Sequence, residues 1–172
     1  MKNNWIVTVF ILTFILSIVF SALSNVLTVY APTFVLAILL VIVISLGILF
    51  DVIGTAAISG NEATFHALNT KRIKGAKMGL YIVKNGPKIS STCNDIVGDV
   101  SGIISGSIGA VLAIALHTKF GINEVVISVI MAALISSLTV GGKAIFKPIA
   151  IKNADKIITT LAKTLSIFGG NK

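Results

Sequence analysis

Four long apolar runs, separated by short polar segments, dominate the chain. They cover about residues 5–30, 33–50, 89–116 and 122–140. A helix of about 20 mainly apolar residues is long enough to cross the hydrocarbon core of a bilayer. The pattern therefore predicts an all-α integral membrane protein with four transmembrane helices.

Two further segments, residues 65–88 and 143–168, are amphipathic and basic. The first predicts an intracellular amphipathic helix. In the second, apolar residues recur at helical spacing, at Ala154, Ile157, Ile158, Leu161, Leu165 and Phe168. Lys152, Lys156 and Lys163 lie on the opposite face. This arrangement is typical of a juxtamembrane helix in the headgroup layer, and a helix that moves during transport is the alternative.

The basic residues fall almost entirely on one side of the predicted spans. Only Lys119 lies in a loop on the other side. The remaining basic residues are Lys2, Lys71, Arg72, Lys74, Lys77, Lys84, Lys88, Lys143, Lys147, Lys152, Lys156, Lys163 and Lys172. Because basic loops stay in the cytoplasm, both termini are expected there, beside the anionic inner leaflet of the cell membrane.

Residues 1–24 allow a second interpretation of the N-terminus. Lys2, an apolar run and then Ala22-Leu23-Ser24 resemble a secretory signal peptide with its cleavage site. Cleavage would leave three spans and an N-terminus outside the cell. The apolar run continues to Ala31, which favours a retained transmembrane helix.

The composition agrees with one membrane domain and no second, soluble domain. Of 172 residues, 55% are hydrophobic and 12% are charged, against about 25% charged residues in soluble domains. The net charge of +8 suits an anionic membrane surface, and no nucleic-acid-binding signature accompanies it. Cys93 is the single cysteine, which excludes an intrachain disulfide and predicts a packing residue.

Acidic residues are the informative polar positions. The chain has six, and four of them, Asp51, Glu62, Asp95 and Asp99, lie in or beside apolar runs. A charge at the centre of a bilayer costs about 2.5 kcal/mol or more, so such a residue is a functional hypothesis by default. All four are expected near the cytoplasmic boundary, where they can line one inward-facing cavity.

Oxygen-bearing side chains around these acids predict a magnesium site, because hard cations prefer oxygen ligands. The predicted ligands are Ser59, Asn61, Glu62, Asn94, Asp95 and Asp99. Asp95 and Asp99 share one face of an α-helix, where their like charges favour a cation between them. His66 and His117 lie in loops on opposite sides, so a shared zinc site is not expected.

Ion pairing is the alternative role for the acids. They can pair with Lys143, Lys147 or Arg72 instead of a metal. Asp51, Lys143 and Lys147 are therefore predicted as ion-pair or gating residues. A third interpretation is that the acids lie at a wet interface without a specific role.

Small residues mark the third span. Gly98, Gly102 and Gly106 recur every four positions, a spacing that lets membrane helices approach closely. They predict tight packing within the helix bundle or across a dimer. The alternative is an unwound stretch whose carbonyls face an ion. The same alternative allows helix breaks at Gly54, Gly60, Gly141 and Gly142.

Two segments resemble motifs of one known family. Residues 58–64, Ile-Ser-Gly-Asn-Glu-Ala-Thr, end an apolar run and precede a basic helix. They resemble the S-G-S-E-T-A signature of the cyclin M/CorC magnesium transport proteins. Residues 142–147, Gly-Lys-Ala-Ile-Phe-Lys, resemble the family's G-E-x-x-P-K segment. Pro87 before a polar third span agrees with the family's order, and the resemblance covers residues 36–168.

The resemblance implies a homodimeric membrane domain with a Mg²⁺ site in an inward-facing cavity. Residues 1–32 are then an extra N-terminal transmembrane helix, residues 33–142 the core, and residues 143–172 the juxtamembrane helix and tail. The family's nucleotide-binding regulatory domains have no counterpart in the sequence, so no nucleotide is expected.

The matches and departures fall on named residues. The matching positions are Ser59, Gly60, Glu62, Gly142 and Lys147. Asn61 replaces a serine, and Phe146 stands where the family has proline. Lys143 stands where the family has a cation-holding glutamate, and a lysine there repels Mg²⁺ or fills its site with an ammonium group. Asp95 and Asp99 are hypothesised to compensate for the lost carboxylate.

The leading prediction is a membrane domain that transports or senses a cation, with Mg²⁺ the first choice. The runner-up is a noncatalytic membrane subunit that keeps the fold, uses Lys143 in an internal ion pair and binds a partner. A second copy of the chain is the expected partner, and a separate regulatory subunit is the alternative. An enzyme is not expected, because Asp95-x-x-x-Asp99 lacks the companion residues of lipid phosphotransferases and no serine is placed with a histidine and an acid.

Overall fold

The computed structural model describes the backbone of residues 2–168, and their side chains except those of residues 2–6, 20, 23–25, 27–30 and 168. Throughout this part of the chain every regular element is a helix, as predicted. The helices are α1 (Lys2–Tyr30), α2 (Thr33–Ser59), α3 (Glu62–Thr70), α4 (Ala76–Lys84), α5 (Gly86–Ser90), a π-helical segment (Ser91–Val97), α6 (Gly98–Phe120), α7 (Glu124–Lys152) and α8 (Ala154–Phe168). Lys172 and the side chains of Lys2, Leu23, Ser24 and Phe168, which the sequence predictions include, lie outside the described residues.

Three helical stretches are long and apolar enough to cross a membrane. They are Thr33–Ser59, Gly86–Phe120 and Glu124–Lys152. These stretches contain the second, third and fourth predicted spans, whose helical nature is confirmed. α1 covers the first apolar run as one helix, and its described apolar stretch is the shorter Val7–Val19. A fourth crossing, by α1, stays a prediction.

The alternative of helix breaks at Gly54, Gly141 and Gly142 is wrong. Gly54 lies inside α2, and α7 continues without interruption through the other two glycines. A continuous helix keeps its backbone N–H and C=O groups bonded, which an apolar environment requires. Gly142 instead makes room for a neighbour, because a Cβ there would collide with Ile48 Cδ1. Gly60, in the turn between α2 and α3, does stand at a helix end.

The C-terminal amphipathic helix begins later than predicted. Residues 143–152 continue α7, and α8 begins at Ala154. On α8, Ala154, Ile158 and Ala162 follow one another at intervals of four residues and are buried. α8 packs on α4, so protein covers much of the apolar face that was expected in the headgroup layer. A position of α8 in the headgroup layer stays a prediction.

The predicted amphipathic segment 65–88 is mainly two short helices, α3 and α4, joined by a tight turn. Gly75 adopts a left-handed conformation, with a φ of 85°, before α4 begins. A Cβ on Gly75 would lie 3.0 Å from the backbone N of Lys163 on α8. The turn therefore needs glycine both for its conformation and for its close contact with α8.

The chain forms two compact units. Unit 1 comprises Met1–Ile48 and Ile96–Gly142, and unit 2 comprises Leu49–Asp95 and Lys143–Lys172. In unit 1, α1 lies along α6, and large aliphatic side chains of α2, α6 and α7 form the core. The buried members of this core are Leu36, Leu40, Ile44, Ile108, Leu112 and Ile135. The members on α2 and on α6 recur every four residues, which is the helical periodicity that packing requires.

Unit 2 has a core of smaller residues around one aromatic ring. Phe65 on α3 is 1% exposed. Its cluster contains Ala56, Ala57, Ile82, Ala154, Ile158 and Ala162. Gly79 on α4 gives the ring its space, because a Cβ there would lie 2.6 Å from Phe65 Cε1. This cluster connects the end of α2 with α3, α4 and α8 and lies beside the turn that contains Asn61.

Candidate functional site

An internal ion pair joins α2 to α7 within unit 2. Lys143 Nζ lies 4.0 Å from Asp51 Oδ1, and the two side chains are 26% and 13% exposed. The sequence offered Lys143, Lys147 and Arg72 as partners for the acids, and the structure brings Lys143 next to Asp51; the role of this pair stays a prediction. Lys147, another predicted partner, is exposed on α7 and takes part in none of the ion pairs among the described residues.

Because the pair is partly buried, it should contribute more to stability than an exposed ion pair does. Exposed ion pairs contribute about 0–1 kcal/mol, whereas breaking a buried pair costs about 3–5 kcal/mol because one charge is left uncompensated. Asp51 and Lys143 lie between these limits. Thr55, one turn further along the same face of α2, is also buried. This end of α2 therefore buries polar groups in succession.

The motif turn, residues 59–62, is held by two hydrogen bonds from different elements. Asn61 caps α3, since its Oδ1 accepts the backbone N–H of Ala63 at 2.9 Å. The backbone N–H of Asn61 donates to Asp155 Oδ1 at 2.9 Å. The side-chain oxygen and the backbone N–H of Asn61 thus both hold the turn in place. The sequence pattern assigned no role to Asp155, and its place in the first turn of α8 was the one available signal.

Glu62 belongs to an exposed charge cluster. Its Oε1 lies 3.2 Å from His66 Nε2 and 3.6 Å from Lys84 Nζ, and all three side chains are about half exposed. Such exposed pairs contribute about 0–1 kcal/mol each. The cluster balances the charge of Glu62 with protein groups, and a role for this residue as a metal ligand stays a prediction.

A polar cavity of about 410 Å³ opens beside the motif turn. It is lined by Ser59, Asn61, Ile151, Lys152, Asn153, Ala154, Asp155 and Lys156. Two of the predicted metal ligands, Ser59 and Asn61, thus share a cavity with the junction of α7 and α8. Two lysines and one aspartate give the wall a positive charge, which favours an anion over a divalent cation.

Asn94 holds an unsatisfied oxygen in the π-helical segment. Its Nδ2 donates to Ser90 Oγ at 3.2 Å, while its Oδ1 is buried and has no hydrogen-bond partner among the described residues. This oxygen lies against Gly54 of α2, where any Cβ would collide with it. A buried acceptor without a donor costs about 1–3 kcal/mol, and π-helical turns often occur at functional sites. The sequence pattern indicated Asn94 but neither the π-helical turn nor the contact with Gly54.

Asp95 and Asp99 are both exposed, and the division between the two units falls between them. Their shared face and the cation between them stay predictions. In the part of the chain that the structure describes, no three His, Cys, Asp or Glu side chains are grouped so that they could hold a metal ion. Mg²⁺ binding stays a prediction.

The glycines of α6 differ in their surroundings. Gly98 is buried, whereas Gly102 and Gly106 are exposed, with no atom within 4 Å of a Cβ built on either of them. Gly102 and Gly106 therefore do not serve close packing within the described residues. Packing of these two glycines across a dimer stays a prediction.

The remaining side chains that the sequence singled out have simple surroundings. Cys93 is buried, as expected of a packing residue. His117 was expected in a loop but lies in the last turn of α6, and its Nδ1 is 2.6 Å from the carbonyl oxygen of Ile122, which precedes α7. Arg72, in the turn after α3, is exposed and has a φ of 54°. It is not a partner in the ion pairs found among the described residues.

Comparison with known proteins identifies no relative of this chain. No protein-family model, no curated protein and no solved structure matches it. The contacts of the side chains described above are therefore the basis for assigning a function.

Proposed function

We propose that the protein is a noncatalytic, multi-pass membrane subunit in which the ammonium group of Lys143 takes the place of a bound cation. The observation that carries this proposal is the 4.0 Å contact between Lys143 Nζ and Asp51 Oδ1. An internal ammonium of this kind compensates the acid of α2 without a metal ion. The subunit then acts by binding a partner rather than by moving an ion.

The membrane setting is supported by three long apolar helical stretches and by the distribution of charge. We assign four spans, α1 included, because 29 residues exceed the roughly 20 that a span needs. Lys119 then lies outside the cell, and the other basic residues lie in the cytoplasm. Both termini are cytoplasmic in this orientation.

A lysine at position 143 opposes a divalent cation directly. At a separation of about 4 Å, two like unit charges repel by about 4 kcal/mol at an effective dielectric constant of 20, and a divalent ion doubles this energy. We propose descent from the cyclin M/CorC architecture on the basis of residues 58–64 and 142–147. In that case Lys143 replaces a cation-holding glutamate, and the positive charge beside Asp51 belongs to an ammonium group instead of a metal ion.

The exposed glycines of α6 support a partner within the membrane. Gly102 and Gly106 leave open space beside the helix, and small residues allow close approach of another transmembrane helix. A second copy of the chain is the first candidate for this partner. A separate regulatory subunit is the second.

The test is the thermal stability of the purified protein in detergent, titrated with Mg²⁺ against choline at matched ionic strength. A ligand that binds only the folded state stabilises it by RT ln(1 + [L]/Kd), about 2.7 kcal/mol at a hundredfold excess over Kd. We expect no Mg²⁺-specific stabilisation of the wild type. Lys143→Glu places a second carboxylate beside Asp51, so this variant is expected to lose stability in choline and to regain it with Mg²⁺.

Lys147→Glu is the matched control for that variant. It makes the same charge change four residues further along α7, at an exposed side chain. We expect neither the loss of stability nor the rescue by Mg²⁺. A saturable, Mg²⁺-specific rise in the wild type that disappears in Asp51→Asn would contradict the proposal.

Cation transport is the second candidate function, and the unsatisfied Oδ1 of Asn94 favours it. Amide oxygens are ligands for hard cations, and this one lies against α2, the helix that carries Asp51. Lys143 would then be a gate that leaves Asp51 before a cation enters. Under this function the wild type gains stability with Mg²⁺ and Asn94→Leu abolishes the gain, whereas the subunit proposal predicts no gain in either protein.

A further inference from the structure

We infer that α8 and the adjoining ends of α2 and α7 form a binding site for one anionic phospholipid. Two cavities of different chemical character support this site, and one side chain, Lys156, lines both of them. Asp51 and Lys143 line neither cavity. The lipid site is therefore independent of the ion pair, and it rests on the proposed function only for the membrane orientation.

The polar cavity, about 410 Å³, suits a phosphate headgroup. Lys152 at the end of α7 and Lys156 on α8 line it, together with Ser59. The first turn of α8, a 15-residue helix, adds the positive end of a helix dipole to the same wall. Asp155 also lines the cavity, but one of its oxygens accepts the backbone N–H of Asn61. The balance of two ammonium groups against one carboxylate favours an anion.

The second cavity, about 390 Å³, is a largely apolar groove that suits an acyl chain. It is lined by Ile53, Lys156, Ile157, Thr160, Leu161 and Thr164. The two threonine hydroxyls donate to carbonyls of their own helix, each at 3.0 Å. These hydroxyls therefore need no polar partner inside the groove, and its remaining surface is aliphatic apart from the ammonium end of Lys156.

Because Lys156 lines both the polar cavity and the apolar groove, the two together suit an amphiphilic ligand. A free phosphate would occupy the polar cavity alone, and a neutral hydrocarbon would occupy the groove alone. An anionic phospholipid fills both, with its phosphate beside Lys156 and a chain along Ile157 and Leu161. Both volumes lie within the roughly 300–1,000 Å³ of ligand pockets. In the proposed orientation the ends of α2 and α7 lie at the cytoplasmic leaflet, where anionic lipids are found.

The experiment titrates the full-length protein in detergent with phosphatidylglycerol or phosphatidylcholine and counts bound lipids by native mass spectrometry. We expect saturable binding of one phosphatidylglycerol and weaker binding of phosphatidylcholine. Lys152→Gln and Lys156→Gln should each weaken phosphatidylglycerol about fivefold, the usual contribution of a basic residue near an anionic lipid. Lys163→Gln is the matched control, since Lys163 is exposed on the same helix and lines neither cavity.

A second variant separates a lipid from a free phosphate. Thr160→Phe places a ring in the groove, so it should weaken phosphatidylglycerol while thermal stabilisation by inorganic phosphate stays unchanged. If inorganic phosphate stabilises as well as the lipid and Thr160→Phe has no effect, the site binds phosphate alone and the lipid inference is overturned. Equal losses in Lys163→Gln and in the two cavity variants would indicate general charge attraction and would overturn it as well. Circular dichroism without lipid verifies that each variant is folded.

Discussion

A buried serine of unit 1 and the ion pair of unit 2 satisfy their polar groups in different ways. In unit 1, Ser105 is buried, and its Oγ donates to the carbonyl of Ser101 at 2.8 Å, one turn back on the same helix. In unit 2, the ion pair of Lys143 and Asp51 joins α7 to α2. The first arrangement satisfies a polar group locally, whereas the second makes each polar group depend on a distant part of the chain.

This difference indicates which unit depends more strongly on the identity of individual residues. Unit 1 is organised by large apolar side chains such as Ile108, which is 0% exposed, and many hydrophobic residues of similar volume can satisfy such a core. The cross-element contacts in unit 2 admit few substitutions, because removing one partner leaves the other unsatisfied. Equally small chemical changes should therefore cost little in unit 1 and much more in unit 2.

The largest effect is expected for Lys143→Met, which keeps the length of the side chain and removes its charge. We expect a loss of about 2 kcal/mol in the free energy of unfolding, below the roughly 3–5 kcal/mol of a fully buried pair, because both side chains are partly exposed. Denaturant unfolding in detergent measures it. The double variant with Asp51→Asn should recover part of the loss, as a coupling of about 0.5–3 kcal/mol.

Lys147→Met controls for the general loss of a positive charge from α7. Because Lys147 is exposed, its replacement should change stability by less than about 0.5 kcal/mol. Equal losses at positions 143 and 147, or strict additivity of Lys143→Met with Asp51→Asn, would show that the pair does not stabilise unit 2.

A smaller effect is expected for Asp155→Ala, which removes the acceptor for the backbone N–H of Asn61. Hydrogen bonds to charged groups contribute about 1.5–3 kcal/mol, and partial exposure of Asp155 places this one at the lower end. Glu124→Ala is the matched control, because Glu124 also stands in the first turn of a helix, α7. It should lose only the helix-dipole contribution, about 0.3–1 kcal/mol. Equal losses in the two variants would assign the whole effect of Asp155 to the dipole.

The sequence predicts the features of this fold that depend on neighbouring residues. Apolar runs of helical length are local properties, so the helices of residues 33–50, 89–116 and 122–140 are recognisable without knowledge of their contacts. The need of Asp51 for compensation was also predictable, because an acid in an apolar run is costly, but the sequence left Lys143, Lys147 and Arg72 open as partners. Charge and hydropathy together thus indicate an ion pair at Asp51, whereas the choice of Lys143 comes from the structure.

Features that depend on contacts between distant residues cannot be predicted from local sequence patterns. The bond between Asn61 and Asp155 joins residues 94 positions apart, and no local pattern indicates it. α7 continues through Gly142, where a Cβ would collide with Ile48, whereas glycine alone suggests a break. The π-helical segment around Asn94 likewise has no signal in the hydrophobic periodicity.

The smallest effect is expected for Ser105→Ala, which tests the unit 1 side of the comparison. The hydroxyl of Ser105 bonds only to its own helix among the described residues, and alanine has the higher helix propensity, by a few tenths of a kcal/mol. Loss of the bond and gain in propensity should nearly cancel, leaving stability within about 0.5 kcal/mol of the wild type. Denaturant unfolding in the same detergent measures it. A loss near that of Lys143→Met would mean that buried polar groups stabilise both units alike, and the contrast between them would fail.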